Sequence, residues 1–96
     1  MYKHIRKQLI EHGMSPRYKG FRYLINAIAY VEDKYKKGIW YVKMTDVFGE
    51  TAKTFKTTRY GVEHAIRTCI IKSSLGNMTV GEYITATADH NVFANA

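Results

Sequence analysis

Four side chains between residues 60 and 67 have the chemistry and the spacing needed to read DNA bases. They are Tyr60, Glu63, His64 and Arg67. An arginine can donate two hydrogen bonds to guanine, a glutamate can accept one from the cytosine amino group, and a tyrosine or histidine can bond a base edge or touch a thymine methyl group. Residues three, four and seven apart lie on or beside one face of a helix. A helix over this segment would therefore present all four side chains to a major groove.

The residues between these positions form the apolar stripe that such a helix needs. They recur at three- and four-residue intervals, which is the period of an amphipathic helix. The stripe consists of Val62, Ala65, Ile66, Cys69 and Ile70. Thr57 and Thr58 stand where hydroxyls can accept hydrogen bonds from the first N–H groups of the helix. Cys69 is the only cysteine, so no internal disulfide can form, and it is expected to be a small buried hydrophobe.

A second amphipathic segment directly precedes the first. Its apolar stripe, which again has the helical period, consists of Val47, Phe48, Thr51, Ala52 and Phe55. Thr45 is the expected N-cap. Because the two segments are separated by only a tight turn, we predict a helix-turn-helix over residues 45–72. Lys56 occupies the turn position that often carries glycine, and a left-handed backbone there would cost roughly 1–2 kcal/mol.

Basic and hydroxyl-bearing side chains cluster in the loop at residues 14–20 and around the predicted turn. Free N–H groups and the helix dipole favour anions at a helix N-terminus, and Lys and Arg neutralise phosphates. We therefore predict a set of residues that contact the DNA backbone. The set consists of Arg17, Lys19, Lys53, Lys56, Thr57, Thr58 and Arg59.

The net charge of +7 also favours a polyanionic partner. Residues 1–48 carry ten Lys and Arg against four Asp and Glu, whereas residues 49–96 carry five against four. Electrostatic attraction is therefore expected mainly from the N-terminal half, and base reading from the second half. A charged surface that only keeps the protein soluble would account for the same excess.

The remainder of the chain also favours helices, over residues 2–12, 19–37 and 79–89. The longest of them has its apolar stripe at Phe21, Leu24, Ile25, Ile28, Val31 and Tyr35. Residues 39–43, IWYVK, fit a short strand or a helical turn equally well. Thr79 and Glu82 form a capping-box pattern at the start of the final helix, and residues 90–96 are expected to fray. The sequence thus predicts one small all-α domain of about five to six helices over residues 1–96.

No enzyme, metal or cofactor site is predicted. His4, His12, His64 and His90 lack metal-ligand spacing, the carboxylates are dispersed, and there is no glycine-rich phosphate loop. We therefore expect no catalysis, no cofactor and no small-molecule substrate. The apolar runs are far shorter than the ~20 residues that cross a bilayer, and the N-terminus lacks a signal-peptide pattern. The expectation is a cytoplasmic, nucleoid-associated protein without membrane contact.

Within this order of elements, a set of short motifs is characteristic. The motifs are Lys19-Gly20-Phe21, Tyr23-Leu24, Ala27-Ile28, Ala52-Lys53, Phe55, Thr57-Thr58, Val62-Glu63 and Ala65-Ile66-Arg67, with a weaker set at Glu82-Tyr83-Ile84 and Ala88-Asp89. In these residues the chain resembles the C-terminal DNA-binding effector domain family of the sporulation master response regulator. The resemblance covers most of residues 12–89, and residues 57–70 are its most specific part. It implies an all-α fold whose second motif helix enters the major groove, and binding to DNA as tandem copies.

The chain also departs from that family. Gly61 and His64 stand where the regulator carries arginines, whereas Glu63 and Arg67 match. The linker before the helix-turn-helix is longer, the loop before the last helix is shorter, and no receiver domain is represented in these residues. The resemblance therefore implies the binding mode and leaves the preferred DNA sequence open.

Three functions remain open at this point. The first is sequence-specific binding of double-stranded DNA by a transcription regulator, with self-association on tandem sites through the final helix. The second is a protein–protein adaptor that uses the eight tyrosines as a contact surface. The third is non-specific nucleic-acid binding. Binding that weakens steeply with salt indicates nucleic acid, and sequence dependence separates the first function from the third.

Overall fold

The longest helix lies at the centre of the fold and packs against every other helix. The computed structural model describes residues 2–94, which form five helices and no strand, so the predicted all-α class is confirmed. The helices are α1 (Lys3–Glu11), α2 (Lys19–Lys36), α3 (Met44–Phe55), α4 (Arg59–Ile71) and α5 (Val80–Phe93). Contacts join α2 to α1, α3, α4 and α5. None of the helices described is long and apolar enough to cross a membrane.

The apolar stripe of α2 explains this central position. Leu24, Ile28 and Val31 are fully buried, and Ala27 between them is also inaccessible. These residues recur with the helical period, so one side of α2 can be covered along its whole length. The other helices supply their own stripes to the same core, which makes α2 the surface on which they are arranged.

A buried carboxylate adds a polar connection between three helices. Glu32 of α2 is only 4% exposed, and its Oε1 atom lies 3.0 Å from Nε2 of His4 in α1. Asn91 of α5 donates from Nδ2 to the other carboxylate oxygen at 2.6 Å and to Oε1 of Gln8 at 2.8 Å. A buried carboxylate requires such donors, because it has lost its water. Glu32 therefore fixes α1 and α5 against α2.

The helix-turn-helix is formed by α3 and α4, and its turn has an unusual backbone. Lys56 has φ 54° and ψ 50°, so it adopts the left-handed conformation that counted against a lysine at this position in the sequence. The Thr57 N–H donates to the carbonyl of Ala52 at 2.9 Å, so the turn closes α3 in the usual left-handed manner. Thr58 caps α4, since its Oγ1 accepts from the Gly61 N–H at 2.9 Å. Of the two predicted hydroxyls, Thr58 is therefore the one that caps.

The start of α3 differs from the prediction. Lys43, with an extended backbone and no side-chain cap, precedes the helix, and Thr45 lies inside the first turn. Residues 39–43 form neither a strand nor a helical turn. Met44 is half buried against the core, and Val47 next to it is fully buried. This packing outweighs the preference for a threonine cap, which is worth only about 1 kcal/mol.

The end of α5 also differs from the prediction, because the helix continues to Phe93 instead of ending near Asp89. Its capping box is confirmed: Glu82 N–H donates to Oγ1 of Thr79 at 3.1 Å, and Thr79 N–H donates to Oε1 of Glu82 at 3.0 Å. The bond from the Thr79 N–H lowers the pKa of the Glu82 carboxyl. The additional turn is held by Asn91 and by Phe93, whose ring stacks on Trp40. The predicted fraying is therefore wrong for residues 90–93, Ala94 follows the helix as its C-cap, and residues 95–96 lie outside the described part.

The closest approach between helices occurs where α2 begins. A Cβ atom at Gly20 would lie 2.7 Å from the carbonyl carbon of Ala65 and 3.0 Å from Cβ of Cys69, both in α4. The obstructing atoms include rigid helix backbone, so they cannot move aside as a flexible side chain would. Gly20 is thus required for α4 to pack directly against α2.

We expect Gly20→Ala to lower the free energy of unfolding by about 1–3 kcal/mol, the usual cost of overpacking a core. Gly81→Ala is the matched control, because a Cβ there meets Met44 Cγ at an ordinary 3.5 Å. That control should leave stability unchanged or raise it. Urea unfolding followed by circular dichroism measures both variants, and equal stability of the two would contradict the close-packing argument.

Candidate nucleic-acid interface

The exposed face of α4 carries the four side chains that the sequence singled out. Tyr60 is 73% exposed, and His64 and Arg67 are exposed beside it, with Glu63 half buried on the flank. On the opposite side, Val62 and Ile66 are fully buried against the rest of the domain. The helix therefore presents one continuous polar face, and its apolar face is fixed to the core.

The four side chains form two contacts within the helix. The rings of Tyr60 and His64 stack with centroids 5.9 Å apart and an angle of 15° between their planes. One turn further along, Nη2 of Arg67 donates to the Glu63 carboxylate. Each contact joins residues four apart, which are neighbours on a helix surface. The side chains are thus held along the helix, and the guanidinium of Arg67 keeps further N–H donors for a ligand.

The start of α4 brings together the turn residues of the predicted backbone-contacting set. Lys56, Thr57, Thr58 and Arg59 are all exposed at this end of the helix. The side chain of Arg59 lies against α3. A Cβ atom added to Gly49 of α3 would be 2.9 Å from Nε of Arg59. A positive cluster at a helix N-terminus, where N–H groups and the dipole face outward, is suited to bind an anion.

A basic cleft lies next to this turn. It has a volume of about 320 Å³ and is lined by Pro16, Arg17, Tyr18, Lys19, Arg22, Tyr23 and Phe55. The rings of Tyr23 and Phe55, 5.0 Å apart, join α2 to the end of α3. Because Phe55 directly precedes Lys56, the cleft and the turn are adjacent. The structure thereby brings Arg17 and Lys19 close to the residues at the start of α4.

Arg22 was not identified from the sequence, although it lines this cleft. It lies three residues after Lys19, so the two side chains share one face of α2. This three-residue spacing from Lys19 is the sequence feature that could have identified Arg22. Lys53, by contrast, is at the end of α3 but is paired with Glu50, the Nζ to Oε1 distance being 3.7 Å. Such an exposed pair is weak and leaves the lysine available to another anion.

Among residues 2–94, no group of three or more His, Cys, Asp or Glu side chains is arranged to hold a metal ion. Cys69 is buried, as expected from its position on the stripe, and burial raises the pKa of its thiol. Burial likewise raises the pKa of Tyr83 to about 12, so its hydroxyl stays protonated beside Nδ1 of His12, 2.7 Å away. These groups belong to the core and lie apart from the exposed face of α4.

Comparison with known proteins agrees with this arrangement. The family model described as "Sporulation initiation factor Spo0A C terminal" matches residues 5–92, which include most of every helix. No curated protein and no solved structure matched the chain. Members of the matched family bind DNA as domains of a sporulation regulator. This chain therefore belongs to the Spo0A C-terminal family of DNA-binding domains.

Proposed function

We propose that this domain is a transcription regulator that binds specific sequences of double-stranded DNA, with α4 lying in the major groove. The observation that carries the proposal is the polar face of α4, where Tyr60, His64 and Arg67 are exposed on a helix whose other side is buried. A major groove is wide enough to admit one helix, and its base edges differ for every base pair.

We assign base reading mainly to Glu63 and Arg67. Tyr60 and His64, on the same face, are assigned additional base contacts. The guanidinium of Arg67 can face guanine while Glu63 accepts one of its other N–H groups. The carboxylate thereby restricts the orientation of the arginine before DNA arrives, which reduces the entropy lost on binding. Tyr60 and His64 support each other by stacking and occupy the end of α4 nearer the turn.

Backbone contacts are assigned to the turn and to the basic cleft. Lys56, Thr57, Thr58 and Arg59 lie at the start of α4, and Lys53 lies one turn of α3 away. Arg17 and Lys19 face the adjacent cleft, to which we add Arg22. Contacts of this type set the position of a reading helix without reading sequence. Selection of bound sites from random duplexes at ~150 mM salt tests the proposal, since a non-specific binder would enrich no common sequence.

We expect Arg67→Ala to weaken binding to the selected site by about 1–3 kcal/mol, the value of one good bidentate base contact. Binding to a scrambled duplex should change little. Fluorescence anisotropy with the two duplexes measures the difference.

Arg67→Lys is the control for this prediction, because it keeps the charge and loses the planar fork. If Arg67 reads guanine, the lysine variant should lose most of the same discrimination. Full retention of affinity by the lysine variant would show instead that position 67 contacts only phosphate.

We expect Lys56→Gly to weaken binding to every duplex alike and to flatten the dependence of log affinity on log salt by ~1 unit. Glycine tolerates the left-handed backbone, so the substitution removes the charge without adding strain. The free energy of unfolding should rise by about 0.5–1 kcal/mol, since relief of strain exceeds the entropy that glycine adds to the unfolded chain.

Lys36→Gln is the matched control, because it also removes one exposed lysine charge, at the far end of α2. Its salt dependence should equal that of the unsubstituted protein. An unchanged slope for Lys56→Gly would mean that Lys56 is only a solvated turn residue.

We further propose that copies of the domain assemble side by side on repeated DNA sites, with α5 at the contact. The exposed side of α5 carries Glu82 and Asp89 with Ala86 between them. On a protein of charge +7, this acidic face can meet a basic surface of a neighbour. A single reading helix spans few base pairs, so two copies about one helical turn apart would supply the specificity.

Cooperative binding should therefore depend on the spacing of two half-sites. Moving one half-site by about five base pairs, half of a ~10 bp turn, places the copies on opposite faces of the duplex and should abolish cooperativity. Titrations followed by electrophoretic mobility measure this. Cooperativity that survives the shift, or a tight dimer without DNA in sedimentation, would contradict the assembly model.

A further inference from the structure

An exposed hydrophobic patch lies in the connection between α2 and α3, and the DNA-binding function does not use it. The patch consists of Ile39, Trp40 and Tyr41, which are 43%, 63% and 79% exposed. A groove of about 180 Å³ lies beside it. Tyr30, Tyr41 and Val42 provide its apolar walls, and Lys34, Lys43 and Asp46 its polar side. Side chains of these types, exposed together, are typical of a surface that binds another molecule.

The patch is ordered by contacts to the end of α5. The ring of Trp40 stacks on Phe93 at 5.0 Å with 30° between the planes, and Tyr35 lies about equally close to both, at 6.2 and 6.1 Å. One side of the indole is therefore covered, and the rest faces solvent. Because Trp40 is held before any partner arrives, binding requires little further ordering of this side chain.

The patch lies at the opposite end of the domain from the proposed DNA interface. The basic cleft borders the start of α2 at Lys19, whereas the patch follows its end at Lys36. At 1.5 Å per residue, these ends are about 26 Å apart. The whole domain measures only 32 × 27 × 26 Å. A duplex bound along α4 would therefore leave the patch free.

Around the patch, lysines outnumber the nearby carboxylates of Asp33, Asp46 and Asp89. Residues 34–43 contain four lysines, Lys34, Lys36, Lys37 and Lys43, and no acidic residue. Lys37 pairs with Asp33 at 3.0 Å, but Lys36 and Lys43 form no ion pair with any of residues 2–94. This charge favours an acidic partner. A second copy of the chain fits less well, because its acidic face on α5 carries none of the large hydrophobic side chains that are exposed among residues 2–94.

We propose that the patch binds an acidic segment of a partner protein while the domain is on DNA. Apolar side chains of the segment pack on Trp40 and Tyr41, and its carboxylates face Lys36 and Lys43. Aromatic residues at the centre and charges at the rim match the usual anatomy of such an interface. This function goes beyond DNA binding, because it lets one domain hold a duplex and a protein at opposite ends.

The emission of Trp40, the only tryptophan of the chain, reports directly on the patch. Two synthetic peptides of equal length serve as probes, one combining Leu and Phe with Asp and Glu, the other with Asn and Gln in the acidic positions. The acidic peptide should shift the emission to shorter wavelength, saturate, and bind more weakly as salt rises. An equal response to both peptides, or no response to either, overturns the proposal. So does tighter binding of oligothymidine, which would indicate a nucleic-acid surface, or self-association through the patch without peptide.

Two exposed tyrosines provide a matched pair of variants. Tyr41→Ser should lower the affinity for the acidic peptide by about tenfold and leave duplex binding unchanged. Tyr60 is similarly exposed, at 73% against 79% for Tyr41. Tyr60→Ser should keep its affinity for the acidic peptide and bind the duplex more weakly. Loss of duplex binding by Tyr41→Ser, or unchanged peptide affinity, would overturn the inference. A protein that binds peptide but no duplex would instead overturn only the proposed DNA-binding function.

Discussion

The close crossing of α2 and α4 at Gly20 is the contact on which the functional surface depends. There the backbone of one helix lies against the backbone of the other, with no room for a side chain. The crossing restricts how α4 is rotated, since Ala65 and Cys69 lie against Gly20 and the neighbouring Val62 and Ile66 are fully buried. Once those residues face the core, Tyr60, His64 and Arg67 must face solvent. The position of the proposed reading face thus follows from a backbone contact on the other side of the helix.

Contacts between α3 and α2 also help to hold the helix-turn-helix in this orientation. The hydroxyl of Thr51 in α3 is fully buried and donates to Oδ1 of Asn26 in α2 at 2.9 Å. The rings of Tyr23 and Phe55 make a second contact between the same two helices. Both contacts tie α3 to α2, so the turn at Lys56 is held by α2 as well as by the packing of α3 on α4. A rigid support of this kind allows an exposed helix to present its side chains with a defined geometry.

The two ends of α2 border surfaces of different composition. Its first turn contributes Lys19 and Arg22 to a basic cleft, and the segment after its last turn contributes Trp40 and Tyr41 to an exposed patch. A basic cleft and an exposed aromatic patch therefore lie at different ends of one helix. The sequence shows the excess charge of the N-terminal half but does not reveal this arrangement, because Lys19 and Lys36 both read as basic residues of one helix.

The sequence by itself determined the features that depend on neighbours three or four residues apart. These include the all-α class, the buried stripe of α4, the exposure of Tyr60 and Arg67, and the capping box at Thr79. The family resemblance was visible for the same reason, since its residues lie within these stripes and turns.

Only the tertiary structure decided features that join distant parts of the chain. Arg22 became part of a cleft because Phe55 lies opposite, and residues 90–93 stayed helical because Asn91 and Phe93 bind α2 and Trp40. Thr45 lost its predicted capping role to the packing around Met44. The physical reason is common to all three. Periodicity and caps act within a few residues, whereas the burial that outweighs them requires partners tens of residues away.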